Sequence, residues 1–166
     1  MEFISSDTNV WIDFFSIEKL KLPFRLPCKY IMYEVTVEDE LIKPSDLGNL
    51  LKECGLEGID ISNEEYFLAE KFNAEYKQTS IHDCIALAVA KCRSITLLTG
   101  DKHLRIAAEK EGVVVIGTIG ILDRLIAGEY ITVEEYRECL ILLEHLNGGV
   151  VRLPKSAIRE RLEKTK

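Results

Sequence analysis

The stretch SIHDCIALAVAKCRSITLLTGDKHLRIAAEKEGVVVI, residues 80–116, decides the fold class. Residues 80–91 leave almost no polar face, which is typical of a helix buried in a core. Residues 94–98 are mostly apolar, as in a strand whose sheet is covered on both faces. A helix over 101–111 and a strand over 113–116 follow, and this alternation predicts a parallel sheet with right-handed crossovers.

The flanking sequence continues the same alternation. Strands are expected at residues 3–6, 29–33 and 59–61. Helices are expected from residue 8 to 15 and at 34–43, 45–54, 62–76, 118–127, 132–146 and 154–164. The predicted fold is therefore a three-layer α/β/α domain with a central parallel sheet and extra C-terminal helices.

Length and composition are those of a single globular domain. The chain has 166 residues, of which 47% are hydrophobic and 30% charged, and this length suits one sizeable core. We expect residues 1–150 to form the main domain and residues 151–166 to be a basic helical tail of that same domain.

The sequence predicts a cytoplasmic protein that does not enter a membrane. It has no basic, apolar leader at its start and no apolar run long enough to cross a bilayer. The five cysteines are odd in number and lack C-x-x-C spacing, so buried free thiols are expected rather than disulfides or a zinc site.

The charge is acidic but uneven. A net charge of −7 argues against nucleic-acid binding by bulk electrostatics. From Arg152 onward, however, six basic residues face only two acidic ones. Such a tail is either a solvated helix, which is the commoner case, or a contact for RNA or a protein partner.

Two aspartates stand at strand-to-helix junctions. Asp7 follows the first strand directly, and Asp101 follows the strand ending at Leu98 through Thr99 and Gly100. Ligands of open parallel sheets collect beyond the carboxyl ends of the strands. Either aspartate alone would be explained by helix capping, but the occurrence of two at equivalent places favours a site.

Two further acids are candidates for the same place. Asp83 lies in the first turn of the apolar helix, where Ser80-x-x-Asp83 also matches a capping box. Because an unpaired buried charge is costly, Asp83 must face a polar pocket. Glu40 lies in an acidic run with Glu38, and the apolar pattern around it does not fix which way it points.

If these acids converge, they repel one another unless a cation is present. Ligands that are all oxygen suit Mg²⁺ or Mn²⁺. Such ions activate water and stabilise charge on a phosphoryl oxygen, so the expected chemistry is phosphodiester hydrolysis.

Four segments resemble motifs of the PIN-domain family, especially its VapC-like toxin branch. They are SDTNVWID (residues 6–13), similar to "DTNVLID"; VEDEL (37–41); SIHDCIALA (80–88); and LLTGDK (97–102). The likeness runs from about residue 3 to residue 116 and more loosely through GTIGIL (117–122).

The resemblance implies a Mg²⁺- or Mn²⁺-dependent endoribonuclease, acting on an RNA such as tRNA or rRNA. Its catalytic and metal-binding acids would be Asp7, Glu40, Asp83 and Asp101. Glu38 is the substitute for Glu40 if the acidic run is read in another register. Family members of the toxin type are commonly homodimers held inactive by a cognate antitoxin protein.

Several other side chains near these motifs have open roles. Thr8 and Thr99 would either orient a carboxylate or make ordinary turn hydrogen bonds. Asp13 is either a peripheral acid of the site or a surface residue, and His82 is expected on a helix surface. The remaining expectations are core positions for Trp11 and Phe14, a surface position for His103, and candidate phosphate contacts at Lys91, Lys102 and Arg105.

Two other enzyme classes fit poorly. A haloacid-dehalogenase-like phosphatase needs a second aspartate two residues after Asp7, where this chain has Asn9. No G-x-G-x-x-G follows the first strand, which disfavours a dinucleotide-binding module. A PIN-like fold that binds RNA or protein without cutting remains the non-enzymatic alternative.

Overall fold

A single parallel sheet forms the middle of the molecule in the computed structural model, which describes residues 1–41 and 46–166. The strands described are β1 (Glu2–Ser6), β2 (Cys28–Tyr33), β3 (Glu57–Ile59), β4 (Thr96–Leu98) and β5 (Val115–Ile116). Their order across the sheet is β3-β2-β1-β4-β5, and every neighbouring pair is parallel. Sequential strands on each side of β1 are joined through helices, as expected for crossovers.

Helices cover both faces of this sheet. They are α1 (Thr8–Ser16), α2 (Glu34–Glu40), α3 (Leu47–Cys54), α4 (Asn63–Glu75), α5 (Ile81–Arg93), α6 (Lys102–Lys110), α7 (Thr118–Ala127), α8 (Val133–Leu146) and α9 (Lys155–Lys164), with a short 3₁₀ helix at Leu22–Arg25. The helix expected over 34–43 ends at Glu40, since Leu41 is not helical, and residues 42–43 of that range lie outside the described residues. Residue 45, the expected start of α3, also lies outside them, and the observed helix begins at Leu47.

Neighbouring residues within a strand pack into two separate cores, one on each face of the sheet. Ile4 and Leu98 pack into a core with apolar residues of α1, α3, α7, α8 and α9. Ile31 and Leu97 pack on the other face with α4, α5 and α6. Since successive side chains of a strand point to opposite faces, this division confirms the predicted three-layer α/β/α architecture.

Strand ends differ from the predicted bounds where tertiary pairing decides them. The third strand was expected at 59–61 but lies at Glu57–Ile59, because these residues pair with Ile31–Tyr33 of β2. The fourth begins at Thr96 because Ser94 takes a left-handed conformation (φ 54°) that ends α5. The helix end expected at Gly55 is present, and φ there is +125°, which glycine adopts without strain.

The C-terminal segment packs into the core that α1, α7 and α8 share. Ile158 and Leu162 of α9 are buried there. Much of the segment's positive charge is paired, since Arg159 contacts Glu144 at 2.9 Å and Arg161 contacts Asp123 at 2.8 Å. The observed helix is thus amphipathic rather than a freely solvated tail.

The five cysteines are all free thiols, although they are not uniformly buried. Cys84 and Cys139 are buried, Cys28 and Cys54 are partly buried, and Cys92 is exposed, contrary to the expectation of burial. Trp11 and Phe14 are fully buried, which confirms their predicted core positions. Among the described residues, no helix is both long enough and apolar enough to cross a membrane.

Candidate active site

The carboxyl ends of β1 and β4 lie side by side at the centre of the sheet. From this point the chain order diverges, with β2 on one side of β1 and β5 on the far side of β4. Asp7 follows β1, and its backbone N–H donates to the Leu98 carbonyl at the end of β4 (2.9 Å). A divergence of this kind is the usual place for a ligand in an open parallel sheet.

Asp7 is buried, with 3% of its surface exposed. It occupies the N-cap position of α1, but its side chain makes no capping hydrogen bond. Instead its Oδ2 accepts a hydrogen bond from the Thr99 hydroxyl at 2.9 Å. The Thr99 oxygen in turn accepts from the backbone N–H of Asp101 at 3.1 Å. Helix capping therefore does not explain Asp7, and Thr99 links the two strand-end acids.

Asp83 is brought to the same place by α5. Its Oδ2 accepts from the Ser80 N–H at 2.9 Å and its own N–H donates to the Ser80 hydroxyl at 3.0 Å, which completes a capping box. The Ser5 hydroxyl donates to the Ala86 carbonyl at 2.8 Å and so fastens α5 to β1. Asp101 caps α6 in a similar way, through Oδ1 and the Leu104 N–H at 2.9 Å.

Asp7 and Asp83 perturb each other's ionisation. Burial and the nearby charge of Asp83 raise the pKa of Asp7 from 3.8 to about 7. Burial also raises the pKa of Asp83, and the charge of Asp101 adds to that rise. A hydrogen bond from Asp7 acts in the opposite direction on the pKa of Asp83. Each carboxyl therefore disfavours ionisation of the other, as like charges in a buried place do.

Glu40, at the end of α2, completes the cluster. Partial burial raises its pKa, His82 opposes that rise, and the charge of Asp83 adds to it. The side chain of Thr8 lowers the same pKa. Its Oε1 atom is buried without a hydrogen-bond partner among the described residues. Glu38, the alternative acid, has an exposed side chain, so the structure brings Glu40 to the cluster and not Glu38.

His82 fastens α2 to α5. Its Nδ1 lies 2.7 Å from the Thr36 hydroxyl, and its Nε2 lies 3.2 Å from Asp39 Oδ2. The side chain is 17% exposed, so the expectation of a surface histidine was wrong. The sequence could not show this contact because it joins positions 46 residues apart. His103, in contrast, is exposed as expected.

Asp13 lies beside this cluster and is buried, which excludes the surface alternative. Its Oδ2 accepts from the Thr118 hydroxyl at 2.7 Å, and burial raises its pKa to about 6. It lines a cavity of about 450 Å³ together with Asn9 and Asp101. A larger groove of about 1100 Å³, around Phe15 and Leu146, contains none of the clustered acids.

A family model identifies the chain. The DUF3368 model, described as a PIN domain, matches residues 3–166. The chain belongs to the PIN-domain family. No curated protein and no solved structure shows a significant match to it.

The acids of this PIN domain suit a hard cation in donor type. Asp7, Asp83 and Asp101 each commit one oxygen to a donor of the chain, at 2.9 Å in every case. The buried Oε1 of Glu40 has no hydrogen-bond partner among the described residues. Carboxylate oxygens of this kind are ligands for Mg²⁺ or Mn²⁺.

The spacing of these acids is wider than that of a formed metal site. Within residues 1–41 and 46–166, no three His, Cys, Asp or Glu side chains are already arranged to hold an ion. Asp83 and Asp101 also cap helices. Bare carboxylates repel one another, and a bound cation would offset that repulsion.

The three cations expected as phosphate contacts of the PIN domain divide into two groups. Lys91 pairs with Glu111 at 2.6 Å and lies over the Phe72 ring, so it is not available near the acids. Lys102 and Arg105 are exposed and line a cavity next to Asp101. Neither makes an ion pair with any other described residue.

Proposed function

We propose that this PIN domain is a metal-dependent endoribonuclease that hydrolyses RNA phosphodiester bonds. The observation that carries the proposal is the gathering of four acids from four separate segments, namely Asp7, Glu40, Asp83 and Asp101. They meet at the sheet edge where ligands of such folds bind. Burial and mutual repulsion raise the pKa values of three of them.

The reaction requires a cation to offset this negative charge. Bound Mg²⁺ or Mn²⁺ would lower the pKa of a water molecule and neutralise charge that develops on the phosphoryl oxygens. The oxygen of the attacking water would form the new bond to phosphorus as the bond to one bridging ester oxygen breaks. The water would lose a proton, and the departing ester oxygen would gain one. Asp7, Glu40, Asp83 and Asp101 are the proposed ligands.

Other groups of the chain orient the proposed metal ligands. Thr99 holds one oxygen of Asp7, and the Leu104 N–H holds one oxygen of Asp101, so each carboxylate keeps its other oxygen for the cation. Thr8 favours the ionised form of Glu40, which is the form that binds a cation. Supporting hydrogen bonds of this type fix the direction of a ligand and are worth about 10–100-fold in metal affinity or activity.

Cleavage assays on total tRNA and rRNA test the proposal. We expect activity with Mg²⁺ or Mn²⁺, none in EDTA, and a loss of about 100-fold or more for Asp7→Asn and Asp83→Asn. The matched pair Glu40→Gln and Glu38→Gln lies on one helix, and only the first should lose activity. Calorimetric titration with Mn²⁺ should show weakened binding in the same variants.

Two outcomes would overturn the nuclease proposal. A pure, folded protein that cuts no RNA with any divalent metal would leave a PIN fold that binds without cutting. Full activity in Asp7→Asn would show that the cleavage arises elsewhere, for example from a contaminating nuclease.

We further propose that the chain is the toxin of a type II toxin–antitoxin pair, of the VapC-like branch, and acts as a homodimer. The motif resemblance supports this, and a net charge of −7 suits a small basic partner. Expression of the wild type should arrest growth, Asp7→Asn should not, and a protein encoded in the neighbouring reading frame should relieve the arrest. Light scattering should give twice the mass of the 18.9 kDa chain. Absence of growth arrest would refute the toxin role but would not contradict the proposed nuclease chemistry.

A further inference from the structure

A second cavity opens beside the carboxylate cluster, between α6, α7 and the segment that leads into α9. It has a volume of about 770 Å³. From its lining we infer a binding groove for the phosphodiester backbone of the substrate strand, formed by Lys102, Arg105 and Arg152. This basic groove rests on the proposed nuclease function and extends it to the path of the RNA.

The basic groove is continuous with the candidate active site. Gly100, Lys102 and Arg152 line both this cavity and the smaller one of about 450 Å³ that holds Asp13 and Asp101. A strand lying in the groove therefore reaches the acids without crossing a wall of the protein.

The charge of the basic groove is concentrated and unpaired. Lys102, Arg105 and Arg152 form no ion pair with any residue in the described part of the chain. Arg161 also lines the groove, but Asp123 neutralises it at 2.8 Å. Glu109 is the remaining acid of the lining. Converging cations repel one another, so an anionic ligand is the natural complement to three of them in an otherwise acidic protein.

The first two cations are fixed relative to the acids by the backbone. Lys102 and Arg105 are three residues apart on α6 and so share one helix face. A Cβ atom placed on Gly117 would lie 3.1 Å from Arg105 Nη2 and 3.4 Å from the Thr99 carbonyl oxygen. The guanidinium thus rests at the ends of β4 and β5, next to the residue that holds Asp7.

Arg152 stands on the opposite wall, in the segment between α8 and α9. Val151 before it is fully buried. Leu153 after it is held by two hydrogen bonds to the Asn147 side chain, at 2.8 and 2.9 Å. The backbone of Arg152 is therefore held on both sides, which keeps its exposed side chain at this wall of the groove.

The lining of the basic groove predicts contact with the backbone of a nucleic acid rather than with its bases. No aromatic side chain stands among its described lining residues, so it offers no platform for base stacking. Arginine suits two-pronged contact with a phosphate, and lysine acts as a point charge. The groove should therefore orient a strand without selecting its sequence.

Salt-dependent binding of a short fluorescein-labelled oligouridine tests the basic groove. Anisotropy is measured in EDTA, and again in the Asp83→Asn background with Mg²⁺, because bare carboxylates repel phosphate. Each of Lys102→Ala, Arg105→Ala and Arg152→Ala should lower the log–log salt slope by about 0.7, the value for one contact on a single strand. The triple variant should lose about 10-fold or more in affinity.

Matched controls separate the groove from general charge. Lys71→Ala and Lys77→Ala remove the same charge at exposed positions outside the groove, and both should bind within about two-fold of the wild type, as expected for distant charges screened by salt. Glu109→Gln should strengthen binding. If the controls weaken binding as much as the groove variants, or if the wild-type groove binds no oligouridine in either condition, the groove is refuted.

The same set of variants tests the basic groove separately from the proposed nuclease function. Loss of binding in the groove variants of a protein that never cleaves RNA would support the groove and refute the nuclease. Normal cleavage by the triple variant, with activity abolished in Asp83→Asn, would refute the groove and support the nuclease.

Discussion

Burial makes it unfavourable for Asp7 to carry a negative charge. It is almost fully buried, and Asp83 is a second acid beside it. Among the described residues, the Thr99 hydroxyl and the Thr8 backbone favour the ionised form, and they do not offset burial. A cation bound there would recover the free energy that the chain spends in placing this acid.

The stability of the metal-free protein should fall as pH rises. Asp7 has a pKa of about 7 when folded and 3.8 in the reference state, so the folded protein retains a proton that the unfolded chain has already lost. Its contribution is therefore complete below about pH 4 and is lost as pH rises through 7. Urea unfolding in EDTA at pH 5 and pH 8 measures this fall. Asp7→Asn should gain on the order of 2 kcal/mol relative to the wild type at pH 8.

Glu38→Gln serves as the control for this profile, because its exposed side chain lies outside the cluster. Mg²⁺ should stabilise the wild type more at pH 8 than at pH 5, since protonated acids are poor ligands. A wild-type stability that rises with pH over this range in EDTA would contradict the assignment.

At the scale of residues, the sequence predicted those acids whose position follows from local rules. Asp7 and Asp101 follow strands, and Asp83 had to escape a hydrophobic helix. The direction of Glu40 was not predictable, because contacts of α2 with α5 set it. The choice between a peripheral site and the surface for Asp13 was also left open, since its partner Thr118 lies 105 residues further along the chain.

The junction of α2 and α5 decides where Glu40 lies. His82 contacts Thr36 and Asp39, both on α2, within the same helical turn that leads to Glu40. Since α2 spans only Glu34–Glu40, it has little helical stability of its own. The histidine therefore acts as a positioning residue for an acid that it does not replace.

His82→Ala and Thr36→Val should each cost about 1 kcal/mol of stability, the usual value of one hydrogen bond. Both should also weaken Mn²⁺ affinity, by roughly 10-fold. Because the two changes break the same contact, the double variant should lose less than the sum of the single losses. Urea unfolding and calorimetric titration provide the two readouts.

The exposed His103 supplies the control, and His103→Ala should change neither quantity. A strictly additive double variant, or unchanged Mn²⁺ affinity in His82→Ala, would show that the junction does not position Glu40.

At the scale of elements, capping residues made helix starts predictable and pairing made strand ends unpredictable. Ser62, Ser80 and Thr132 each cap the helix that follows, and these helices begin within one residue of the predicted starts. The strand expected at 113–116 shrinks to Val115–Ile116, because only these residues pair with β4. Hydrogen-bond register between distant segments is not written in local periodicity.

At the scale of the whole molecule, α9 is part of the main core. Ile158→Ala should therefore cost about 2–5 kcal/mol, as for other buried aliphatic truncations. Ile141→Ala on α8 is the matched control, because that side chain is 50% exposed, and it should cost well under about 1 kcal/mol. Thermal and urea unfolding measure both. Equal stability of the two variants would show that the C-terminal segment is only loosely attached.

The alternation of strands and helices predicted the layers of this domain, but not the order of its strands. Order depends on which distant segments pair, and β1 pairs with both β2 and β4. The net charge also did not predict where positive charge lies on the surface. The protein has a net charge of −7, yet its basic groove has three cations that pair with no described acid. Distribution in space, rather than composition, sets the local field.

The pairing of β1 with β4 also governs when the acid cluster can exist during synthesis. The bond between Thr99 and Asp7 joins positions 92 residues apart, so a nascent chain carries Asp7 out of the ribosome long before its partner is made. Folding is also slower where contacts join segments of long sequence separation. The ribosome has therefore translated most of this chain before the chain can assemble the centre that we propose cuts RNA.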